Sequence, residues 1–479
     1  MKSDTKQIKA VITLSLVALL LASCTTVGPD YQAPKLEPVK LFDNEQQPQH
    51  ANTKSQTAIN HDWWQQFNDV HLNKLINIAD QHNPSIAIAQ ANLDKAMAIF
   101  DDISDDDQLS GFVTGVYSVQ RQVIPGDLSA EPERPRLESR RLGLDLSWTI
   151  DLVGKFARAE EAAKADAEAA YFAWQDAKLS LLNQVANTYI QYRGAQARLA
   201  VAENTLASLS RTQEVVLNQV EVGFASELDA LRVKGQLASV KASLPSIRAE
   251  AEAARQVLIA LAGGEDKLAG FDWLSDEIPS LNKPIAFASN ANFLQNRPDV
   301  REAERQLAAA TAGIGVAKAD LYPSLSLTGF LGFLSNRGSV INSDVQAWSL
   351  APSIGWNALD LDSVRARIKI ADASQAASLE RFELTLLDAI AQTRTSLSNY
   401  TQLQHRLNAL DEQVEANQGA LTLAQYQYKN GAISLLDLLD IERQWLSSRD
   451  EKVIAHAQTT RSLINIYVAL GGGVLTPEQ

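Results

Sequence analysis

The sequence predicts a mainly α-helical, internally duplicated chain that carries four membrane β-strands. Three observations lead there. A glycine turn, V-G-F-A-S-E-L-D at 222–229, returns as N-G-A-I-S-L-L-D at 430–437, so that Gly223 answers Gly431, Ser226 answers Ser434 and Asp229 answers Asp437 at an offset of 208. Two proline-free stretches, 151–221 and 359–429, keep a helical apolar spacing over about 70 residues each. Four shorter runs alternate apolar and polar residues with a period of two. Duplicated units that pack on each other act as one structure, so 479 residues need not mean several globular domains. Apolar residues make up 46% of the chain and aromatics only 6%, which favours close helix packing over a bulky core.

The N-terminus reads as an export signal. Lys2, Lys6 and Lys9 precede an apolar run from Ala10 to Ala22, a 13-residue stretch against the roughly 20 that a spanning helix needs. It ends in Leu21-Ala22-Ser23-Cys24, a lipobox-like sequence in which the cysteine would be lipidated and become the mature N-terminus, an uncleaved anchor being the other reading. Cys24 is the only cysteine, so no internal disulfide forms. Threonine follows it, not the aspartate of an inner-membrane retention signal, and outer-membrane delivery is expected. Removing residues 1–23, with three lysines and Asp4, takes the formal charge from −14 to −16. That balance, with no basic stripe, argues against nucleic-acid binding.

Residues 24–60 are polar and dotted with proline, a composition that runs extended over a surface. The first repeat is expected over 61–265, a connector over 266–290, the second repeat over 291–473 and a short tail over 474–479. A helical segment begins at Trp63-Trp64 and continues through Asn83-Pro84 to about Phe100. Five aspartates then fall within 101–107. The glycine and terminal glutamate of a calcium loop are missing, and an acidic connector is the better reading.

From Gly111 the period changes. Val113, Gly115, Tyr117 and Val119 alternate with Thr114, Val116, Ser118 and Gln120, and Leu142, Leu144, Leu146 and Trp148 alternate with Gly143, Asp145, Ser147 and Thr149. In the second repeat Leu325, Leu327, Gly329, Leu331 and Phe333, then Trp348, Leu350, Ile354 and Trp356, form the apolar sides. Trp148 and Trp356 stand 208 apart, placed as membrane-interface aromatics. Runs of about ten residues suit tilted membrane strands, although half-buried soluble strands share the pattern. Four strands cannot close a barrel and open edges are not tolerated in lipid, so other copies must supply the rest.

The 70-residue stretches would form helices on the order of 105 Å long. Each is expected to pair with its return partner, 227–261 or 435–469, as a coiled coil. Pro245 should kink the first return. Gly263-Gly264 and Gly471-Gly472 end the returns as helix caps, since neither has the lysine or the preceding strand of a phosphate loop. Catalysis finds no support: the six histidines show no i, i+4 pair, and no G-x-S-x-G turn occurs. No metal or soluble cofactor is expected, only a covalent lipid, such as palmitate, on Cys24.

Taken together, V-G-P-D-Y at 27–31 after the lipobox, Trp63-Trp64, N-P-S at 83–85, R-P-D at 297–299, Y-P-S-L-S-L at 322–327 and the two glycine turns resemble the outer-membrane factors of tripartite efflux and type I secretion systems, the TolC and NodT-like lipoproteins. The resemblance implies a homotrimer whose 12-stranded outer-membrane barrel continues into a long periplasmic α-helical barrel. It implies a passive exit duct, opened by a periplasmic adaptor (membrane-fusion) protein and driven by an inner-membrane pump. Asp437 and Asp440 match the aspartate rings of the pore gate. Tyr428 and Asp229 match a tyrosine–aspartate link of the closed state, while Ile433 stands where the reinforcing arginine would be. Gly223, Phe224, Ser226, Gly431 and Ser434 would form the hairpin tips that meet the adaptor. A second reading of the same turns remains: Ser226 with Asp229 and Ser434 with Asp437 fit capping boxes. Asp440 has Arg232 as its counterpart 208 residues earlier and escapes that explanation. The alternative to a duct is a lipid-anchored periplasmic scaffold of helical hairpins without a channel.

Overall fold

The computed structural model describes residues 26–36, 39, 62–121, 136–273, 277–280, 293–336 and 345–472. The export signal, Cys24, the C-terminal tail and most of the 24–60 segment lie outside the described residues. The described elements are α1 (Val70–His82), α2 (Pro84–Ser104), β1 (Ser110–Arg121), β2 (Arg136–Ile150), α3 (Lys155–Glu221), α4 (Glu227–Leu261), α5 (Pro298–Ala319), β3 (Ser324–Asn336), β4 (Gln346–Gly355), α6 (Leu361–Lys429) and α7 (Leu435–Ala469). The order helix, two strands, long helix, return helix therefore occurs twice. No described helix is long and apolar enough to cross a membrane.

The chain divides into two compact units. One comprises Met1–Ala33, Asp94–Ala170 and Ala303–Phe382; the other comprises Pro34–Leu93, Tyr171–Glu302 and Glu383–Gln479.

The first unit holds a four-stranded antiparallel sheet in the order β1-β2-β3-β4. Its register sets Val113 opposite Leu144, Leu144 opposite Leu331 and Leu331 opposite Trp348, so the alternating apolar residues of all four strands share one face. That face is bare: Trp348 is 77% exposed, and Leu350 and Ile354 are similarly open. The other face carries Thr114, Asp145, Ser326, Thr328, Ser349 and Ser353. On it Arg141 pairs with Asp145, which also accepts from Thr114, and the guanidinium lies 4.1 Å from the centroid of Phe330. Phe330 is only 6% exposed, because it folds over the Cβ-free positions Gly143 and Gly332.

Trp148 donates from Nε1 to Asp107 O (2.9 Å) and Trp356 to Leu321 O (3.1 Å), each tying the end of a hairpin to the stretch that leads into it. Trp356 lies one residue beyond β4 rather than within it. The aspartate run is split: Asp101 and Asp102 close α2, and Asp105–Asp107 make an exposed turn, so β1 starts at Ser110. Helix α3 starts at Lys155, later than the apolar spacing suggests, because the Asp151 carboxylate accepts from the backbone N–H groups of Lys155, Phe156 and Ala157. V-G-P-D-Y also has its place here. Arg158 donates to Val27 O (3.1 Å) and Asp30 (2.6 Å), Tyr31 donates to Glu304, and Arg305 bridges Glu304 and Glu168.

The periodic segment that begins at Trp63 is not one helix: a 3-10 turn at Trp63–Phe67 precedes α1, and Asn83 parts α1 from α2. Asn83 has extended backbone (φ −70°, ψ 124°), as residues before proline do. Trp63 is fully buried and stacks on Tyr467 at 5.3 Å, within a core that includes Leu72, Leu75, Ile76, Tyr189, Ile190, Leu258 and Ile464. Asp69 caps α1 at Leu72 N (2.9 Å) and accepts from Tyr189 Oη (2.8 Å).

The ends of the two return helices are built alike. Asn83 Nδ2 donates to Leu261 O (2.8 Å), and an Arg297 amino group donates to Ala469 O (3.0 Å). Gly263 (φ 86°) and Gly471 (φ 76°) follow those ends in left-handed conformation. A Cβ on either would meet backbone, His82 O at 2.4 Å or Asn296 O at 2.7 Å, so glycine is needed for conformation and for space. Each long helix contacts its return partner, through Arg248–Glu203 (3.0 Å) and Lys452–Asp411 (2.7 Å). Arg198 of α3 also reaches α4 and α7 together, through Glu250 and Asp450 at 2.8 Å each. Pro245 sits inside α4, which runs on through it.

Candidate gate at the hairpin tips

Both long helices end in the same hydrogen-bonded glycine turn. Phe224 N–H reaches Gln219 O (2.7 Å) and Gly223 N–H reaches Val220 O (3.0 Å). In the second turn Ala432 N–H reaches Gln427 O (2.9 Å) and Gly431 N–H reaches Tyr428 O (3.0 Å). This six-to-one, five-to-two pattern needs a left-handed residue, and Gly223 (φ 81°) and Gly431 (φ 71°) provide it.

The returns then start with matched capping boxes. Ser226 Oγ accepts from Asp229 N (3.2 Å) and Asp229 Oδ2 accepts from Ser226 N (3.1 Å); Ser434 and Asp437 make the same pair at the same distances. Hydrogen bonds from Ser434 hold the Asp437 carboxyl below the usual carboxylate range, and those from Ser226 do so for Asp229.

Beyond the caps the repeats diverge. Asp440 forms an exposed ion pair with Arg443 (2.8 Å), one turn further along the helix than the Asp229–Arg232 pair (3.5 Å). Tyr428 and Asp229 are not hydrogen-bonded to each other. Tyr428 Oη donates to Gln219 Oε1 (2.9 Å), and the Asp229 carboxylate has turned to its own helix start and Arg232. Burial first, and the Asp229 charge second, push the Tyr428 hydroxyl pKa up. Ile433, in the place of the expected arginine, packs against the apolar cluster of the tips, formed by Leu209 and Val216 of α3, Val233 and Leu237 of α4, Leu421 and Ala424 of α6, and Leu435, Leu438 and Leu439 of α7. Phe224 is 87% exposed and Val222 and Leu228 are also open, whereas the second tip presents Asn430 and Ala432.

One residue of the tips went unread in the sequence. Glu442 is 3% exposed and its nearest described polar partner is Ser208 Oγ, at 3.4 Å. Burial pushes its carboxyl pKa up. The signal was present: Leu435, Leu438, Leu439 and Glu442 follow the i, i+3, i+4, i+7 stripe that faces a core. Among the described residues no three His, Cys, Asp or Glu side chains gather as a metal site.

The family profile described as "Outer membrane efflux protein" matches residues 75–264 and 291–472. The chain belongs to that family. Proteins similar to it over nearly their whole length include Nodulation protein T of Rhizobium leguminosarum bv. viciae, 29% identical over 471 residues (98% of this chain, 94% of the relative). Antibiotic efflux pump outer membrane protein ArpC of Pseudomonas putida is 27% identical over 472 residues (97% and 96%). Among solved structures, the outer-membrane channel OprN superposes with a TM-score of 0.86 at 35% identity, covering 94% of this chain and 99% of that one. As an outer membrane efflux protein the chain works at the outer membrane and extends into the periplasm, and the duct reading holds over the scaffold reading.

Proposed function

We propose that this efflux protein is the passive exit duct of a tripartite system, a homotrimer with a 12-stranded barrel and a gate at the hairpin tips. One observation carries the reading: a four-stranded antiparallel sheet whose apolar face is bare, whose opposite face is polar, and whose edge strands β1 and β4 have no further partner among the described residues. Four strands are too few to close a barrel, and an open edge in lipid leaves backbone N–H and C=O groups unsatisfied. Three copies, sheet edge to sheet edge, satisfy both constraints.

In such a trimer the polar sheet faces line water, and Asp437 and Asp440 ring a narrow periplasmic entrance, where their summed charge attracts cations. The tips, led by Phe224, meet the adaptor, and an inner-membrane pump supplies energy and substrate choice. A lipid on Cys24 fastens the N-terminus to the membrane beside the V-G-P-D-Y segment.

The test is reconstitution of the purified full-length protein. Heat-resistant trimers in the outer-membrane fraction and stepwise conductance in planar bilayers are expected; protein released as a soluble monomer by loss of the lipid alone would overturn the reading. Cys24→Ala separates targeting from architecture, since a purified variant is expected to retain trimer formation while membrane delivery falls.

A further inference from the structure

The bare apolar face of the sheet does not stay apolar to its end. Along β2 its residues run Ile150, Trp148, Leu146, Leu144 and Leu142, and then change to Arg140, Glu138 and Arg136. On β1 the same face runs Val113, Gly115, Tyr117, Val119 and then Arg121. The register is unbroken over these positions, so no bulge moves the arginines to the other face. Eight residues separate Trp148 from Arg140, about 26 Å of strand, or about 20 Å of membrane depth at a 40° tilt. That is close to the height of the apolar band of a membrane barrel, which places Arg140 and Tyr117 at the boundary opposite Trp148.

Arg121 and Arg140 of this boundary are exposed and differ from the arginine on the polar face. Arg141, on the polar face, is neutralised by Asp145. Arg140 lies 5.7 Å from the ring centroid of its cross-strand partner Tyr117, which is 59% exposed, and among the described residues neither Arg140 nor Arg121 has an ion-pair partner. Arg121 and Arg136 occupy opposed register positions at the mouth of the hairpin. Guanidinium groups beside an exposed tyrosine, at the edge of a lipid-facing surface, suit phosphate oxygens, which they bind in bidentate fashion.

Resting on the membrane-barrel reading above, we propose that Arg121, Arg140 and Tyr117 form a binding rim for the phosphate groups of a phosphorylated glycolipid in the outer leaflet. The rim fixes the depth of the barrel and joins each copy to the surrounding lipid.

The experiment titrates bisphosphorylated lipid A into the purified full-length protein in neutral detergent and follows the thermal unfolding midpoint, with dephosphorylated lipid A and inorganic phosphate as parallel probes. Only the phosphorylated lipid should raise the midpoint of the natural protein. Arg121→Gln/Arg140→Gln should weaken its apparent affinity at least tenfold, and Arg121→Lys/Arg140→Lys, which keeps the charge but not the bidentate fork, should restore only part of it. An equal response to dephosphorylated lipid, an equal effect of inorganic phosphate, or a glutamine variant that responds like the natural protein would each overturn the proposal. Heat-resistant trimers in that same glutamine variant would leave the barrel reading intact while the rim falls; their absence from the natural protein would instead remove the barrel. If the glutamine variant does not assemble, the natural protein's contrast between the two lipids still decides.

Discussion

Tyr428 of α6 and Gln219 of α3 are hydrogen-bonded at 2.9 Å, and the same Gln219 closes the first glycine turn through its carbonyl oxygen. One residue thereby sets the bend of one hairpin and holds the long helix of the other. Tyr428→Phe removes the bond between side chains and leaves the turn in place, at a cost of about 1 kcal/mol. A larger basal conductance is expected in planar bilayers, with Gln219→Ala giving a similar increase and the double variant little more. If Tyr428→Phe couples to Asp229→Ala and not to Gln219→Ala, the tyrosine works through the aspartate instead.

The carboxylate of Asp437 is both helix cap and candidate gate, and two substitutions separate the roles. Ser434→Ala breaks the capping box at about 1 kcal/mol but keeps the charge, so block by divalent cations should persist while thermal stability drops. Asp437→Asn/Asp440→Asn removes the charges, and block should weaken at least tenfold. Unchanged block in the double variant places the cation-sensitive constriction elsewhere.

Much of this was legible in the sequence because the repeat is exact in register. Both return helices begin and end where the glycine and serine punctuation puts them, at Glu227–Leu261 and Leu435–Ala469. Local chemistry decides those ends, and local chemistry is what a sequence displays. Three features lie outside that punctuation. Asn83 ends α1, although the apolar spacing runs on through it, because proline at the next position excludes helical backbone there. Tyr428 chose Gln219, a residue whose role depends on how α3 and α6 approach each other. Glu442 looks like any surface glutamate until the stripe of leucines before it is counted.

The paired helix-end contacts give the N-P and R-P motifs a physical task. Arg297 joins Asp299, Gln392 and Ala469 O in a nearly closed environment, so Arg297→Ala should cost about 2 kcal/mol and lower the unfolding midpoint of the assembled protein by several degrees. Asn83→Ala removes a neutral donor and should cost about half as much, on the order of 1 kcal/mol. Equal losses at the two sites would mean that the charge of Arg297 adds nothing to its hydrogen bonds.

Buried Glu442 is expected to make the tips sensitive to pH. Its folded pKa is raised by burial above the unfolded value of about 4.3, so the folded state binds the proton more tightly than the unfolded one. The contribution of the neutral carboxyl is fully present below about pH 4 and is lost as the pH rises through the raised folded value. Glu442→Gln keeps the shape and cannot ionise. It should therefore melt at a higher temperature than the natural protein at pH 7.5, with the difference shrinking towards zero as the pH falls to 4. The same substitution should tighten the closed state at neutral pH, read as a lower basal conductance, because Glu442 lies where α7 meets Ser208 of α3. A melting difference that is constant across this pH range would show that the Glu442 carboxyl has the same pKa in the folded and the unfolded protein.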